Sequence, residues 1–223
     1  MPMLNNSYEL WSALRKLGFL VEGSEPFWWK GAGEFEVLIG AILTQQAKWE
    51  NVEKSLENLK DYDLHSIANL DLEVLATLIK PSGFYNKKSK VLKNLTLAII
   101  EEFGDFESFK DSVSREWLLS QKGIGLESAD SILCYACKRD VMVVDAYTDR
   151  ILRAFGYEFE SYDELAEWMI SGLESNYDKI IKAYNTKADT FTIYSRFHGK
   201  IVQYAKENAK NRTVLVDKIK EVL

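Results

Sequence analysis

Hydrophobic positions recur at three- and four-residue spacing along almost the whole chain, and strict alternation is scarce, so helices rather than strands are expected. Leu10, Trp11, Leu14 and Leu17 put an apolar stripe on a helix over 7–18, with Ser7 as its N-cap and Gly18 as its stop. A polar link leads to Pro26-Phe27-Trp28-Trp29. Phe35, Leu38, Ile39, Ile42 and Leu43 then mark a core helix over 34–46. Further helices are predicted over 49–60, 71–79 with Asp71 as N-cap, 86–103 and 114–121, and Pro81-Ser82-Gly83 breaks the pattern between two of them. An apolar helix follows over 129–137. Beyond it a helix through 151–155 ends at Gly156, and Ser161 with Glu164 forms a capping box for the next. Residues 176–222 carry one or two buried helices ahead of a charged, frayed tail. No repeat or low-complexity linker divides the chain.

Composition supports this picture. The 223 residues are 47% hydrophobic with only three prolines, enough for a sizeable core in one domain or two small ones. The chain starts without a basic segment leading into an apolar one, and no run reaches membrane-spanning length, so a cytoplasmic, monomeric protein without a membrane partner is expected. The net charge of −6 argues against a protein that coats nucleic acid indiscriminately. Local charge differs from the total: Lys87, Lys88, Lys90 and Lys93 form one basic cluster, and Arg115, Lys122, Lys138 and Arg139 another. One basic face or a solvated helix surface are the two readings. Cys134 and Cys137 form a C-x-x-C with no second pair or histidine cluster, so they read as buried packing thiols and no metal site is expected.

One segment carries chemistry. In Gln121-Lys122-Gly123-Ile124-Gly125, two glycines flank one aliphatic residue, which suits a tight turn between helices with amides left to cradle a phosphate. Asp145 follows Gly125 by twenty positions, beyond a helix-length apolar run, where a carboxylate could return to the same groove. It reads equally as the N-cap of a helix starting at Ala146.

The Gly123-Ile124-Gly125 turn with Ser128-Ala129, followed by Val143-Val144-Asp145, resembles the helix-hairpin-helix superfamily of DNA glycosylases, which includes endonuclease III. Two more segments extend the likeness: Leu43-Thr44-Gln45-Gln46 resembles the family's leucine-x-x-glutamine, and Gly83-Phe84-Tyr85-Asn86 its glycine-x-tyrosine-asparagine loop. The resemblance implies an all-α fold of two helical domains: a central one over 35–140 ending in the hairpin, and a second from 1–34 with 141–223. Double-stranded DNA would bind across their cleft. Bifunctional members carry a nucleophilic lysine where this chain has Glu127, and a carboxylate forms no imine, so a monofunctional enzyme is expected. Iron-sulfur members use four C-terminal cysteines, and residues 146–223 contain none, so neither a cluster nor another cofactor is expected. Carbonyls of the hairpin turn are candidate ligands for a monovalent cation.

Within the superfamily, the cluster-free bacterial 3-methyladenine DNA glycosylases are the nearest likeness. That implies excision of alkylated purines from DNA, with Asp145 as catalytic carboxylate and Trp29 and Trp49 as stacking walls of a base pocket. Trp28 is a pocket residue or a core residue. An indole face attracts a cationic methylated purine by roughly 0.5–2 kcal/mol, a contribution a normal base lacks. Glu127 is placed at the pocket or on the helix surface. Lys200 is either a surface lysine or an inward one that is deprotonated, paired with an acid, or modified to a carbamate. Gly123, Ile124, Gly125 and Lys122 are the expected phosphate contacts. Gln46 is the expected plug for the extruded base's space, and Phe84 a wedge or a core residue. The alternatives are a monofunctional glycosylase for mismatched or oxidised bases, or a non-catalytic DNA-binding module.

Overall fold

The computed structural model describes residues 4–20, 28–184 and 188–223; Pro26 and Phe27 fall outside the described residues. It is helical nearly throughout. In chain order the helices are α1 (Ser7–Lys16), α2 (Phe35–Leu43), α3 (Trp49–Leu59), α4 (Leu64–Asn69), α5 (Leu72–Leu78), α6 (Tyr85–Phe103), α7 (Phe106–Ser112), α8 (Arg115–Ser120) and α9 (Leu126–Ser131). They continue with α10 (Ala146–Ala154), α11 (Tyr162–Glu174), α12 (Tyr177–Tyr184), α13 (Thr190–Asn208) and α14 (Asp217–Val222). A 3-10 turn, Lys80–Ser82, precedes α6, and a π turn, Ile132–Ala136, extends α9.

Contacts divide the chain into two compact units, 31–139 and 1–30 with 140–223. In the first, the apolar face of α2 is fully buried through Leu38, Ile42 and Leu43, together with Leu92, Leu95 and Ile99 of α6. In the second, Trp11 and Leu14 of α1 share a core with Ile151, Leu173, Phe197 and Tyr204.

Several local expectations need correction. Asn6, not Ser7, caps α1 by accepting from Glu9 N at 3.1 Å. Ser7 is instead buried and donates its hydroxyl to Met169 O at 2.6 Å, where α11 comes so near that a Cβ on Gly172 would lie 2.4 Å from Ser7 Oγ. At α11, Ser161 accepts from Glu164 N, but the Glu164 carboxylate reaches Glu160 N, one residue before the cap. The apolar 129–137 segment does not stay α-helical: its second half widens into the π turn, closed by Cys137 N to Ile132 O at 3.0 Å. The tail is ordered by an antiparallel pair, β1 (Ala209–Lys210) and β2 (Thr213–Val214), and by α14, whose Ile219 is fully buried.

The basic face is also smaller than the sequence suggests. Lys88 is buried, and Lys93 donates to Ala68 O and Leu70 O. Arg115 pairs with the buried Asp130 at 2.6 Å, and Arg139 donates to the carbonyls of Val113 and Lys110. Lys87, Lys90, Lys122 and Lys138 remain exposed. The two cysteines fit the packing role: Cys134 is fully buried, and burial pushes the Cys137 thiol up to about 12, leaving almost no thiolate at neutral pH. Among the described residues no cluster of three His, Cys, Asp or Glu side chains gathers, and no helix is long and apolar enough to cross a membrane.

Candidate functional site

In the unit formed by 1–30 and 140–223, Asp145 is the N-cap of α10 and carries a full capping box with Thr148. The load falls on one oxygen. Oδ1 accepts from Tyr147 N at 3.0 Å, Thr148 N at 2.8 Å and Thr148 Oγ1 at 2.9 Å. Oδ2 lies 3.6 Å from His198 Nε2, longer than a hydrogen bond but close enough for strong electrostatic coupling. The capping and catalytic readings of Asp145 are therefore compatible in one side chain: one oxygen fixes the carboxylate, and the other stands apart from the cap. Burial acts to raise the Asp145 carboxyl, but the neighbouring His198 imidazole and the Thr148 donors together override it, so it stays below the ordinary carboxylate range. It is ionised at neutral pH.

The next two residues of α13 are equally constrained. Gly199 leaves room for an indole: a Cβ there would come within 2.6 Å of Trp28 Cγ, so Trp28 packs directly on the helix backbone. Lys200 is fully buried and donates to Phe19 O and Leu20 O, each at 2.7 Å, while Arg196 also reaches Leu20 O. The solvent-facing reading of Lys200 is thus corrected. Two donated bonds need two N–H groups, and a carbamate, with one, would keep only one of them. Three consecutive residues, His198 to Lys200, bring Asp145, Trp28 and the chain after α1 to one turn of α13. Trp29 is half-buried in this unit.

The remaining candidates belong to the unit 31–139. Gly123 has φ +97, and a Cβ on it would lie 2.4 Å from Val91 Cγ2 of α6, so both the conformation and the close approach require glycine. Ile124 departs from its expected role. Its amide donates to Gln121 O at 3.1 Å and its side chain is buried, so it closes the turn, leaving Gly123, Gly125 and the start of α9 to face outward. Gln45 ties the end of α2 to the hairpin, donating to Gly123 O at 3.1 Å and Ser128 Oγ at 2.9 Å. Two carbonyls of the turn, Gln121 and Gly123, thus already accept hydrogen bonds. Lys122 is exposed, as is Glu127 in the first turn of α9, where its charge suits the helix dipole. Trp49 is half-buried at the start of α3.

Gln46 and Phe84 share an unusual backbone. Both are left-handed without being glycine, at φ 50 and φ 47, and both are exposed, Phe84 by 63%. An aromatic side chain this exposed does not fill the core, so the core reading of Phe84 is corrected.

Comparison with known proteins decides the family. Residues 39–169 match the model of the HhH-GPD superfamily of base excision DNA repair proteins. The chain belongs to that superfamily. It is 38% identical to a Methanocaldococcus jannaschii protein provisionally named a DNA repair glycosylase, over 95% of this chain and 94% of the other. It is 30% identical to the Thermotoga maritima endonuclease III over 57% of this chain and 59% of that one. The structure superposes on the H. pylori 3-methyladenine DNA glycosylase (MagIII) bound to 1,N6-ethenoadenine with a TM-score of 0.87 and 45% identity, covering 92% of this chain and 99% of the other. This HhH-GPD protein is accordingly an all-α DNA glycosylase of base excision repair.

Sequence reasoning missed His198, Gly199, Gln45 and the role of Lys88. A glycine inside a long apolar helix was the available signal for Gly199, and His198 is one of only two histidines in the chain. Lys88 was masked by its neighbours, since four lysines in seven positions read as a surface cluster.

Proposed function

We propose that this protein is a monofunctional glycosylase that hydrolyses the N-glycosidic bond of alkylated purines such as 3-methyladenine in double-stranded DNA, leaving an abasic site. The observation that carries the substrate class is the 45% identity over nearly full length to a 3-methyladenine DNA glycosylase solved with an alkylated base. The indoles of Trp28, Trp29 and Trp49 supply the electron-rich faces that distinguish a cationic purine from a normal one.

The chemistry follows from Asp145. A purine alkylated on a ring nitrogen carries positive charge and leaves readily, because the electron pair of the breaking C1′–N bond neutralises it. The sugar is left with oxocarbenium character. An ionised Asp145, fixed through Oδ1, stabilises that charge through Oδ2 and orients the water that attacks C1′; the water's proton passes to the carboxylate or to solvent. Glu127 occupies the place of the lysine that forms the Schiff base in bifunctional relatives, and no β-elimination step is assigned. Outward amides of the hairpin and Lys122 hold a phosphate, Gln46 fills the space of the extruded base, and Phe84 wedges into the stack. The protein acts as a monomer without a cofactor.

Base release by the purified protein from duplexes containing 3-methyladenine, a mismatch or an oxidised base tests the substrate class. Selective release of the methylated base is expected, and no release of it would overturn the assignment. A covalent adduct trapped by borohydride would overturn the monofunctional reading.

A further inference from the structure

Lys88 is only 2% exposed, and its ammonium donates to Leu43 O at 2.8 Å and Ser82 O at 2.9 Å. Burial pulls it down to about 8, the cost of keeping a cation there. A methionine would fill similar space without that cost, so the two hydrogen bonds call for a role.

The two acceptors point to it. Leu43 is the last residue of α2 and Ser82 the last of the 3-10 turn, so each carbonyl lacks a helical donor and lies at the negative end of its element. Gln46 follows Leu43 by three residues, and Phe84 follows Ser82 by two. Both are exposed side chains on left-handed backbone, a conformation shared among the described non-glycine residues by Leu20, Lys138 and Asn211. Non-glycine residues persist in that region only where the surroundings over-determine them. We infer that Lys88 is a positioning residue that ties the Gln46 and Phe84 loops into one rigid double probe, so that plug and wedge enter DNA in fixed register. This rests on the glycosylase reading and on Gln46 and Phe84 as the side chains that enter DNA. The 3-10 turn has a separate brace, Ser82 N to Ser55 Oγ at 3.1 Å, so loss of Lys88 frees one loop against the other without dissolving either.

Such a residue governs extrusion of the base rather than hydrolysis at the sugar. The test compares single-turnover release of 3-methyladenine from a normal pair with release from a site where the same base has no partner and is already largely unstacked. Lys88→Met is expected to slow release from the paired site about tenfold or more, a loss of about 1.4 kcal/mol or more of transition-state stabilisation, and from the unpaired site far less. Equal losses on both would reduce Lys88 to general stability, and no loss on either would remove its role; either result overturns the inference. Should Lys88→Met not fold, Lys88→Gln keeps a polar group on a shorter side chain that reaches at most one of the two carbonyls, and the same selective loss is expected from it. If the unaltered protein releases no methylated base, the proposed substrate fails on its own. Fluorescence of 2-aminopurine in a bound duplex then still reads base extrusion, and the same signal from Lys88→Met and the unaltered protein would overturn the inference.

Discussion

Asp145 caps α10 through one oxygen and leaves the other apart from the cap, which allows the catalytic role proposed for it to be separated from the structural one. Asn caps helices about as well as Asp, so Asp145→Asn keeps the Oδ1 cap and should leave the protein folded, losing only the stability that comes from the charge, while base release falls about a hundredfold or more. Unchanged release would place catalysis elsewhere. The pH profile carries a second prediction. Because Asp145 is held below the ordinary carboxylate range, release should persist on acidification past the pH at which an unperturbed aspartate protonates. Replacing His198 by Ala removes the neighbouring imidazole that lowers the Asp145 carboxyl, so the acidic limb should move to higher pH. A limb that stays in place would show the pair is not coupled. The stability linkage has the same sign: the contribution is complete above the unfolded carboxylate value and is lost as pH falls through the depressed one.

At the scale of elements, α13 and α6 do most of the positioning. In α13, Gly199→Ala should raise helix propensity by about 0.5–1 kcal/mol yet displace Trp28, whose Cγ lies 2.6 Å from where the new Cβ would be. Folding intact by circular dichroism with impaired binding of methylated bases is the expected pair of results; unimpaired binding would remove Trp28 from the pocket. In α6, Lys88 holds the two probe loops, and Val91, one turn on, receives the hairpin glycine. Both roles explain what the sequence concealed. Periodicity located α6 to within a residue and found Asp71 and Ser161 as caps, because those signals are local. It read Lys88 as surface and Ser7 as a cap because their partners, Leu43, Ser82 and Met169, are contributed by distant segments. The π turn and the β1–β2 pair have no comparable local signature. Among the site residues, Asp145 and the hairpin glycines were legible from a spaced motif, whereas His198 depends on α13 returning to the start of α10.

For the whole molecule, the distribution of cations matters more than their number. Lys88, Lys93, Arg115 and Arg139 are occupied by internal carbonyls or carboxylates, and the net charge is −6. With the exposed cluster members Lys87, Lys90, Lys122 and Lys138 as the phosphate contacts, log K for DNA against log salt should have a slope of about −4, at roughly 0.9 per contact. Lys122→Ala should lower that slope by about one contact's worth. A slope twice as steep would reveal a basic surface that these residues do not account for.

The insertion of 31–139 within the other unit also sets an order of events during synthesis. Ser7 finds its acceptor on Met169, 162 residues later, and α1 lies against α11 and α13. At about 5–20 residues per second, a ribosome needs roughly ten to thirty seconds to make that stretch. Throughout that interval α1 carries Leu10, Trp11 and Leu14 with no core to receive them, whereas the unit 31–139 is complete, and free to fold, before Met169 is made. Nascent chains of this protein are thus most exposed to aggregation, and most in need of a chaperone, at a helix that waits more than 160 residues for its packing partners.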